Sequence, residues 1–154
     1  MIIETPIGAL NARVDEAGRL VELHFDKLSE LGSSPAAEPS TTDWPVAKQL
    51  AEYFSAKRTA FELDLAPRGT EFQLAVWNAL LAIPYGDTIS YAELARRIGK
   101  PSAVRAVGAA NGANPIPVII PCHRVIGSNG TLTGYGGGIE RKQWLLALEG
   151  RRLF

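Results

Sequence analysis

The chain contains a single cysteine, Cys122, followed directly by His123 and Arg124. Two potential cations beside a thiol lower its pKa from the ordinary ~8.5 and raise the nucleophilic thiolate fraction. The triplet therefore reads as a nucleophile or covalent acceptor. Side chains of adjacent residues seldom touch, so His123 needs a tight turn or a bridging water to act as a base for Cys122. It also needs a third group to orient its ring. Glu149, in the last turn of a predicted C-terminal helix, is a candidate that only the fold can bring near. A lone cysteine in such a domain is more often an inert buried residue. The delivery of this one is distinctive: Val118-Ile119-Ile120 predicts a buried strand or extended segment that ends at Pro121, immediately before the thiol.

The elements that must position these residues fall into two groups. Leu10, Ala12 and Val14 alternate with polar neighbours, Asp15-Glu16-Ala17-Gly18 makes a turn, and Val21, Leu23 and Phe25 alternate again, so residues 1–26 read as strands. Residues 29–42 read as a loop. A helix follows, with Asp43 as cap, Pro45 in its first turn, and Val46, Leu50, Tyr53 and Phe54 on one face. Residues 61–65 suit a short strand. Beyond them the chain is mostly helix and loop. Thr70-Glu71-Phe72-Gln73 and Ser90-Tyr91-Ala92-Glu93 are both capping-box patterns. The first opens a helix with Phe72, Val76, Ala79, Leu80 and Ile83 at helical spacing, stopped by Pro84-Tyr85-Gly86. The second opens a short helix ending at Gly99, a further helix spans about 103–112, and the last runs from about Glu140 to Glu149.

Residues 91–112 thus form a helix-turn-helix pattern. Its second helix is nearly bare, with Ala103, Ala106, Gly108, Ala109, Ala110 and Gly112, and it offers only Arg105 and Asn111 as reaching side chains. Small residues suit close approach to a minor groove about 6 Å wide; they equally suit packing against a neighbouring helix. Arg105 is either a surface charge or a functional finger. The net charge of the chain is zero, but residues 94–139 carry Arg96, Arg97, Lys100, Arg105 and Arg124 with no acid, while residues 1–93 hold 7 basic and 14 acidic side chains. A locally basic segment is what a phosphate backbone responds to, although chance clustering on a solvated face produces the same count. Residues 125–138 hold six glycines, either a mobile connector or a pocket rim where backbone groups approach a ligand. No Gly-Lys-Ser/Thr ending follows, which argues against a phosphate-binding P-loop.

Composition narrows the function further. No apolar run reaches the roughly eighteen residues of a membrane span, and Met1-Ile2-Ile3-Glu4 does not resemble a signal peptide. One cysteine excludes an internal disulfide and suits a reducing cytoplasm. With only His24 and His123 beside it, a structural zinc site is not expected.

Ile120-Pro121-Cys122-His123-Arg124-Val125-Ile126 resembles the PCHRV signature of the O6-alkylguanine-DNA alkyltransferases, the methylated-DNA–protein-cysteine methyltransferase family. Phe72-Gln73, Val76-Trp77, Ile83-Pro84-Tyr85-Gly86, Ser90-Tyr91, Arg105-Ala106-Val107-Gly108, Asn114-Pro115, Gly134-Tyr135 and Trp144-Leu145-Leu146 extend the likeness, in order, from Gly69 to Gly150. The resemblance implies an α/β (α+β) protein. Residues 1–66 would form a small ribonuclease-H-like sheet lobe. Residues 67–154 would form a mostly helical DNA-binding and alkyl-acceptor domain with a winged-helix-like helix-turn-helix and an active-site loop.

The same likeness implies roles. Cys122 would accept the alkyl group, His123 would act on it through a water, Glu149 would orient His123, and Asn114 would brace the site against the helix-turn-helix. Arg105 would fill the gap left by a flipped-out base, Tyr91 would help rotate the nucleotide, and Ser90, Ala106 and Arg124 would also meet DNA. Val125, Pro117, Gly134, Tyr135 and Gly136 would line the substrate pocket, with the Cys122 and Val125 carbonyls accepting from the base. Gly136 departs from the Ser or Ala common there. The implied partner is double-stranded DNA through its minor groove, met by a monomer without cofactor, metal or membrane.

The chemistry follows. A base inside a duplex must be extruded before it reacts, and the thioether formed by transfer is not readily hydrolysed, so the protein acts once. A damage-binding module of this kind would lack the cysteine. A helix-turn-helix regulator would need base-reading side chains. A cysteine hydrolase places its base far along the chain from the nucleophile.

Overall fold

The computed structural model describes residues 1–25, 45–130, 132, 135 and 138–150. The chain divides into two compact units, Met1–Pro67 and Arg68–Phe154. Among the described residues no helix is long and apolar enough to cross a membrane.

In the first unit, β1 (Ile2–Thr5), β2 (Gly8–Val14) and β3 (Leu20–Phe25) form an antiparallel sheet in that order. The alternation read from sequence places Leu10, Ala12, Val21 and Leu23 in the core with Ile3 and Leu20. Asp15 closes the β2–β3 turn by accepting from the Ala17 and Arg19 backbone N–H groups, both at 2.9 Å. Helix α1 (Pro45–Phe54) buries Val46, Leu50 and Tyr53, whereas Phe54 stays half-buried. The loop expected over 29–42 and the Asp43 cap lie outside the described residues.

Residues 61–65 do not form the expected strand. Only Leu65 makes an isolated parallel bridge, to Leu20. The Gln49 side-chain amide replaces a sheet neighbour, donating to the Glu62 carbonyl at 3.1 Å and accepting from its N–H at 2.8 Å. A side chain that takes both backbone groups of one residue leaves no ladder to continue.

The second unit holds α2 (Glu71–Leu80), α3 (Tyr91–Arg97), α4 (Val104–Gly112) and α5 (Ile139–Leu148). Two short parallel strands, β4 (Ile89–Ser90) and β5 (Val125–Ile126), join the start of α3 to the segment after Cys122. The α2 capping box forms in full: the Thr70 hydroxyl accepts from Gln73 N–H at 3.1 Å and the Gln73 side chain accepts from Thr70 N–H at 3.0 Å. Gly69 precedes it because a Cβ there would lie 2.6 Å from the Trp77 ring. The helix ends at Leu80, four residues before the proline expected to stop it.

Helices α3 and α4 pack against each other and against α2. Ser90 caps α3 by accepting from Glu93 N–H, but the reciprocal half of the expected box is missing. Arg96 and Arg97 claim the Glu93 carboxylate instead. Charged donors one turn along a helix outcompete a neutral backbone N–H. The turn to α4 is a Schellman closure, with Lys100 N–H on Ala95 C=O and Gly99 N–H on Arg96 C=O, and Gly99 takes the left-handed conformation at φ 76°.

Removing the α2 cap tests this unit. Thr70→Ala should lower stability by about 1 kcal/mol, read as a lower urea midpoint with unchanged slope. A midpoint equal to the parent's would show that the box does not hold α2.

Candidate active site

The segment before Cys122 is not the strand or extended run expected from its β-branched residues. Ile119 N–H bonds Pro117 C=O at 2.8 Å and Ile120 N–H bonds Ile116 C=O at 2.9 Å, so the chain coils in consecutive turns. Val118 sits at φ 72° and is buried. A β-branched residue there is strained and persists only where its surroundings over-determine it. Asn114 supplies that constraint: its amide donates to Ile120 C=O at 2.8 Å and its oxygen accepts from Ile116 N–H at 3.0 Å. One side chain therefore closes both ends of the loop that presents Cys122.

Cys122–Arg124 form a single 3₁₀ turn, and all three side chains are buried. The turn settles the difficulty of adjacent residues by sending His123 and Arg124 to Glu149, the C-cap of α5. His123 Nε2 lies 2.9 Å from Glu149 Oε2. Arg124 grips the same carboxylate with two donors, Nε on Oε1 at 2.8 Å and Nη2 on Oε2 at 2.9 Å, and its Nη1 donates to Ile83 C=O at 2.7 Å. The Tyr85 ring lies 5.7 Å from the guanidinium, and Tyr85 Oη donates to Leu148 C=O.

This arrangement overturns two expectations. Arg124 does not face DNA: it is 7 % exposed and its guanidinium is taken up inside the unit. Nor do the neighbouring cations activate the thiol. Burial pushes the Cys122 thiol up to about 11, opposed by a hydrogen bond from Asn114 and by the charge of Lys142. His123 and Arg124 are committed to Glu149, so the resting thiol is protonated at neutral pH and needs a base. His123 can be one. Burial lowers its pKa, with Glu149 opposing and Arg124 and Lys142 assisting. Its Nδ1 is buried without a hydrogen-bond partner among the described residues.

Lys142 and Asn111 are the site residues that sequence reading missed. Lys142 is wholly buried, donates from Nζ to Val125 C=O at 2.6 Å, and lies 6.0 Å from the Tyr91 ring centre. Burial pulls its pKa down to about 8. Lys142, Leu145, Leu146 and Glu149 recur at helical spacing, so both polar residues belong to the apolar stripe of α5; that periodicity was the available signal. Asn111, noted with Arg105 only as a reaching side chain of the second helix, is instead 1 % exposed and donates to Cys122 C=O at 3.3 Å. That carbonyl also receives Val125 N–H.

Of the remaining predicted residues, Tyr91 is half-buried at the start of α3, with its ring 3.8 Å from where a Gly108 Cβ would stand. Ser90 and Pro117 are half-buried, and Val125 and Tyr135 are buried. Arg105 and Ala106 are exposed on α4. Gly134 and Gly136 lie outside the described residues. Trp77 Nε1 donates to Ala110 C=O at 2.8 Å, so the small residues of α4 do serve internal packing on one face while Arg105, Ala109 and Gly112 remain exposed on another.

Glu149 gives the site a pH signature. Desolvation by burial is the largest influence and raises its pKa, yet the hydrogen bonds and charges of His123 and Arg124 together outweigh it and hold Glu149 at about 2, below the ordinary 4.5. A depressed folded-state pKa contributes stability that is complete above the ordinary value and is lost as pH falls through about 2. The contribution is roughly 3 kcal/mol. Urea midpoints of the parent and Glu149→Gln should therefore differ widely at neutral pH and converge on acidification. A constant gap across that range would show that the carboxylate's charge is not what holds the cluster.

Residues 71–151 match the model of the 6-O-methylguanine DNA methyltransferase DNA-binding domain. A methylated-DNA–protein-cysteine methyltransferase of Methanosarcina barkeri is 50% identical over 99% of this chain and 97% of its own. One from Mycolicibacterium paratuberculosis is 56% identical over 74% of each chain. The crystal structure of Mycobacterium tuberculosis OGT in complex with DNA superposes with a TM-score of 0.82 at 47% identity, covering 96% of this chain and 90% of that one. With the buried thiol, the His123–Glu149 pair and the helix-turn-helix in place, this chain belongs to the 6-O-methylguanine DNA methyltransferase family.

Proposed function

We propose that the protein repairs DNA by direct reversal, moving the alkyl group of O6-alkylguanine onto Cys122 in a reaction each chain performs once. The observation that carries this reading is the thiol's setting. The lone thiol sits on a turn whose next residue, His123, is hydrogen-bonded to a buried Glu149, and whose backbone is tied through Asn111 to the second helix of the helix-turn-helix. His123 takes the thiol proton at Nδ1, through a water as in the family. The sulfur then forms a bond to the alkyl carbon, the carbon–O6 bond breaks, and the electron pair leaves with guanine, which is protonated on release. Reversal would require a thiolate to be expelled from a thioether.

The recognition side follows the exposed face of α4. Its short side chains permit close approach to a minor groove, and Arg105 stands clear to occupy the stack when the nucleotide is extruded. Tyr91 and Ser90, at the start of α3, and Ala106 border the path of that nucleotide; Val125, Pro117 and Tyr135 line its pocket. Asn114 braces the acceptor turn. Arg124, being buried, is withdrawn from the DNA-contacting set. A second unit, Arg68–Phe154, holds every one of these residues and acts as the DNA-binding and acceptor domain. The protein works as a monomer in the cytoplasm, where a lone unpaired thiol stays reduced.

Titration with excess O6-methylguanine duplex should reach a plateau at one alkyl group per chain, with mass analysis placing it on the Cys122 peptide. Cys122→Ser should transfer nothing and still bind DNA. An added alkyl group in so closely packed a site should also lower the melting temperature, since overpacking costs ~1–3 kcal/mol. Turnover past the plateau with an unmodified thiol would show a true catalyst instead.

Arg105→Ala should impair repair of duplex far more than reaction with free O6-benzylguanine, because a free base needs no extrusion. Equal losses on the two substrates would assign Arg105 to the fold or the pocket.

A further inference from the structure

Arg124 is held by three hydrogen bonds inside the site and has no part in the reaction outlined above. We propose that it is a positioning residue for the alkyl transfer: by gripping Glu149 through both oxygens, it fixes His123 in the Nε2–H tautomer and keeps the ring uncharged, so that Nδ1 stands ready to accept a proton. The inference rests on the acceptor role proposed for Cys122.

The geometry carries the argument. An ionised carboxylate only accepts hydrogen bonds, so Glu149 Oε2 at 2.9 Å obliges His123 Nε2 to be the donor. The second ring nitrogen then holds either a lone pair, in neutral imidazole, or a proton, in imidazolium. Which one depends on how much negative charge the ring meets. A buried carboxylate facing imidazole alone would draw a second proton onto the ring and abolish its capacity to act as a base. Here the carboxylate is neutralised before it reaches His123. Arg124 Nε and Nη2 occupy Oε1 and Oε2 side by side, with side-chain exposures of 8 % for Arg124 and 0 % for Glu149. Nη1 on Ile83 C=O, at the end of the turn after α2, prevents the guanidinium from rotating away.

The other charged groups around the ring do not replace Arg124. From α5 come Glu149 and Lys142, and Lys142 is directed to Val125 C=O. From the 3₁₀ turn itself come Arg124 and Cys122. The Tyr85 ring lies near the guanidinium, and Tyr135 is buried with its pKa raised first by burial and then by the charges of Cys122 and Glu149. Helix α2, also packed against the turn, buries Val76, Trp77 and Leu80. The direction of the His123 pKa agrees: burial lowers it first, Glu149 opposes, and Arg124 adds to the lowering.

The test uses the full chain and free O6-benzylguanine, so that DNA contacts play no part. Single-turnover rates are measured from about pH 5 to 9 for the parent, Arg124→Gln and Arg124→Lys, with nitrogen NMR of His123 in each. With the guanidinium gone, Arg124→Gln should move the acidic limb of the rate profile upward by about one pH unit, a roughly tenfold loss on that limb that recovers at high pH. Arg124→Lys keeps the charge and should restore most of the parent profile. A loss of constant size at every pH in Arg124→Gln, with the His123 titration unmoved, would overturn the proposal and leave Arg124 a brace. Should Arg124→Gln fail to fold, the parent decides. A neutral Nε2–H ring near pH 7 supports the proposal, and an imidazolium or an Nδ1–H ring overturns it. If the parent transferred no alkyl group at any pH, the reading of function would fall, while the NMR result would still judge what Arg124 does to His123.

Discussion

A buried carboxylate organises the second unit of this protein. The Glu149 side chain is fully enclosed and receives Arg124 twice and His123 once. A charge in such a place is tolerated only when it is paired and its lone pairs are filled. Meeting that demand recruits the turn after α2 through the Ile83 carbonyl, the 3₁₀ turn through His123 and Arg124, and the end of α5 through Glu149 itself. Three segments distant in sequence are thereby fixed relative to one another. Cys122 opens the 3₁₀ turn among them and is buried.

The thiol gains from this enclosure in a way that its neighbours in sequence did not suggest. Desolvation keeps it protonated, with a pKa near 11, so it is a poor nucleophile until a base removes the proton. A thiol held in that state is protected from adventitious oxidation, which follows thiolate character and exposure. Asn114 and Lys142 offset part of the desolvation, one by a hydrogen bond and the other by charge. His123, whose pKa burial lowers, is the neighbouring group placed to act as that base.

The acceptor turn and the helix-turn-helix are joined at three points within the second unit. Asn111 reaches from α4 to the Cys122 carbonyl, Asn114 closes the loop that follows α4, and β4 pairs with β5 so that the cap of α3 lies beside Ile126. Trp77 pins α4 from the α2 side. Displacement of the Cys122 backbone has short, polar routes to the helices that carry Arg105 and Tyr91.

Local pattern was enough for β1, β2 and β3, for the five α-helices among the described residues, and for Gly99 as the residue that ends α3, because alternation, helical spacing and caps are short-range properties of the chain. The resemblance around Pro121-Cys122-His123-Arg124 was likewise a matter of order and spacing, and it marked Glu149 as the partner of His123. Three features were decided only by tertiary structure. Residues 61–65 lost their strand to the Gln49 side chain. Val118-Ile119-Ile120 coiled despite its β-branched residues, because Asn114 closes the loop from outside it. Arg124, one of five cations in a basic segment, turned inward. Charge counting treats every arginine as a surface charge, whereas burial depends on which carboxylate the fold brings within reach. The sequence by itself singled out Cys122 and set the α-helices of its unit; only tertiary structure decided that Arg124 meets Glu149 rather than solvent, because that choice is a competition between water and a partner 25 residues away.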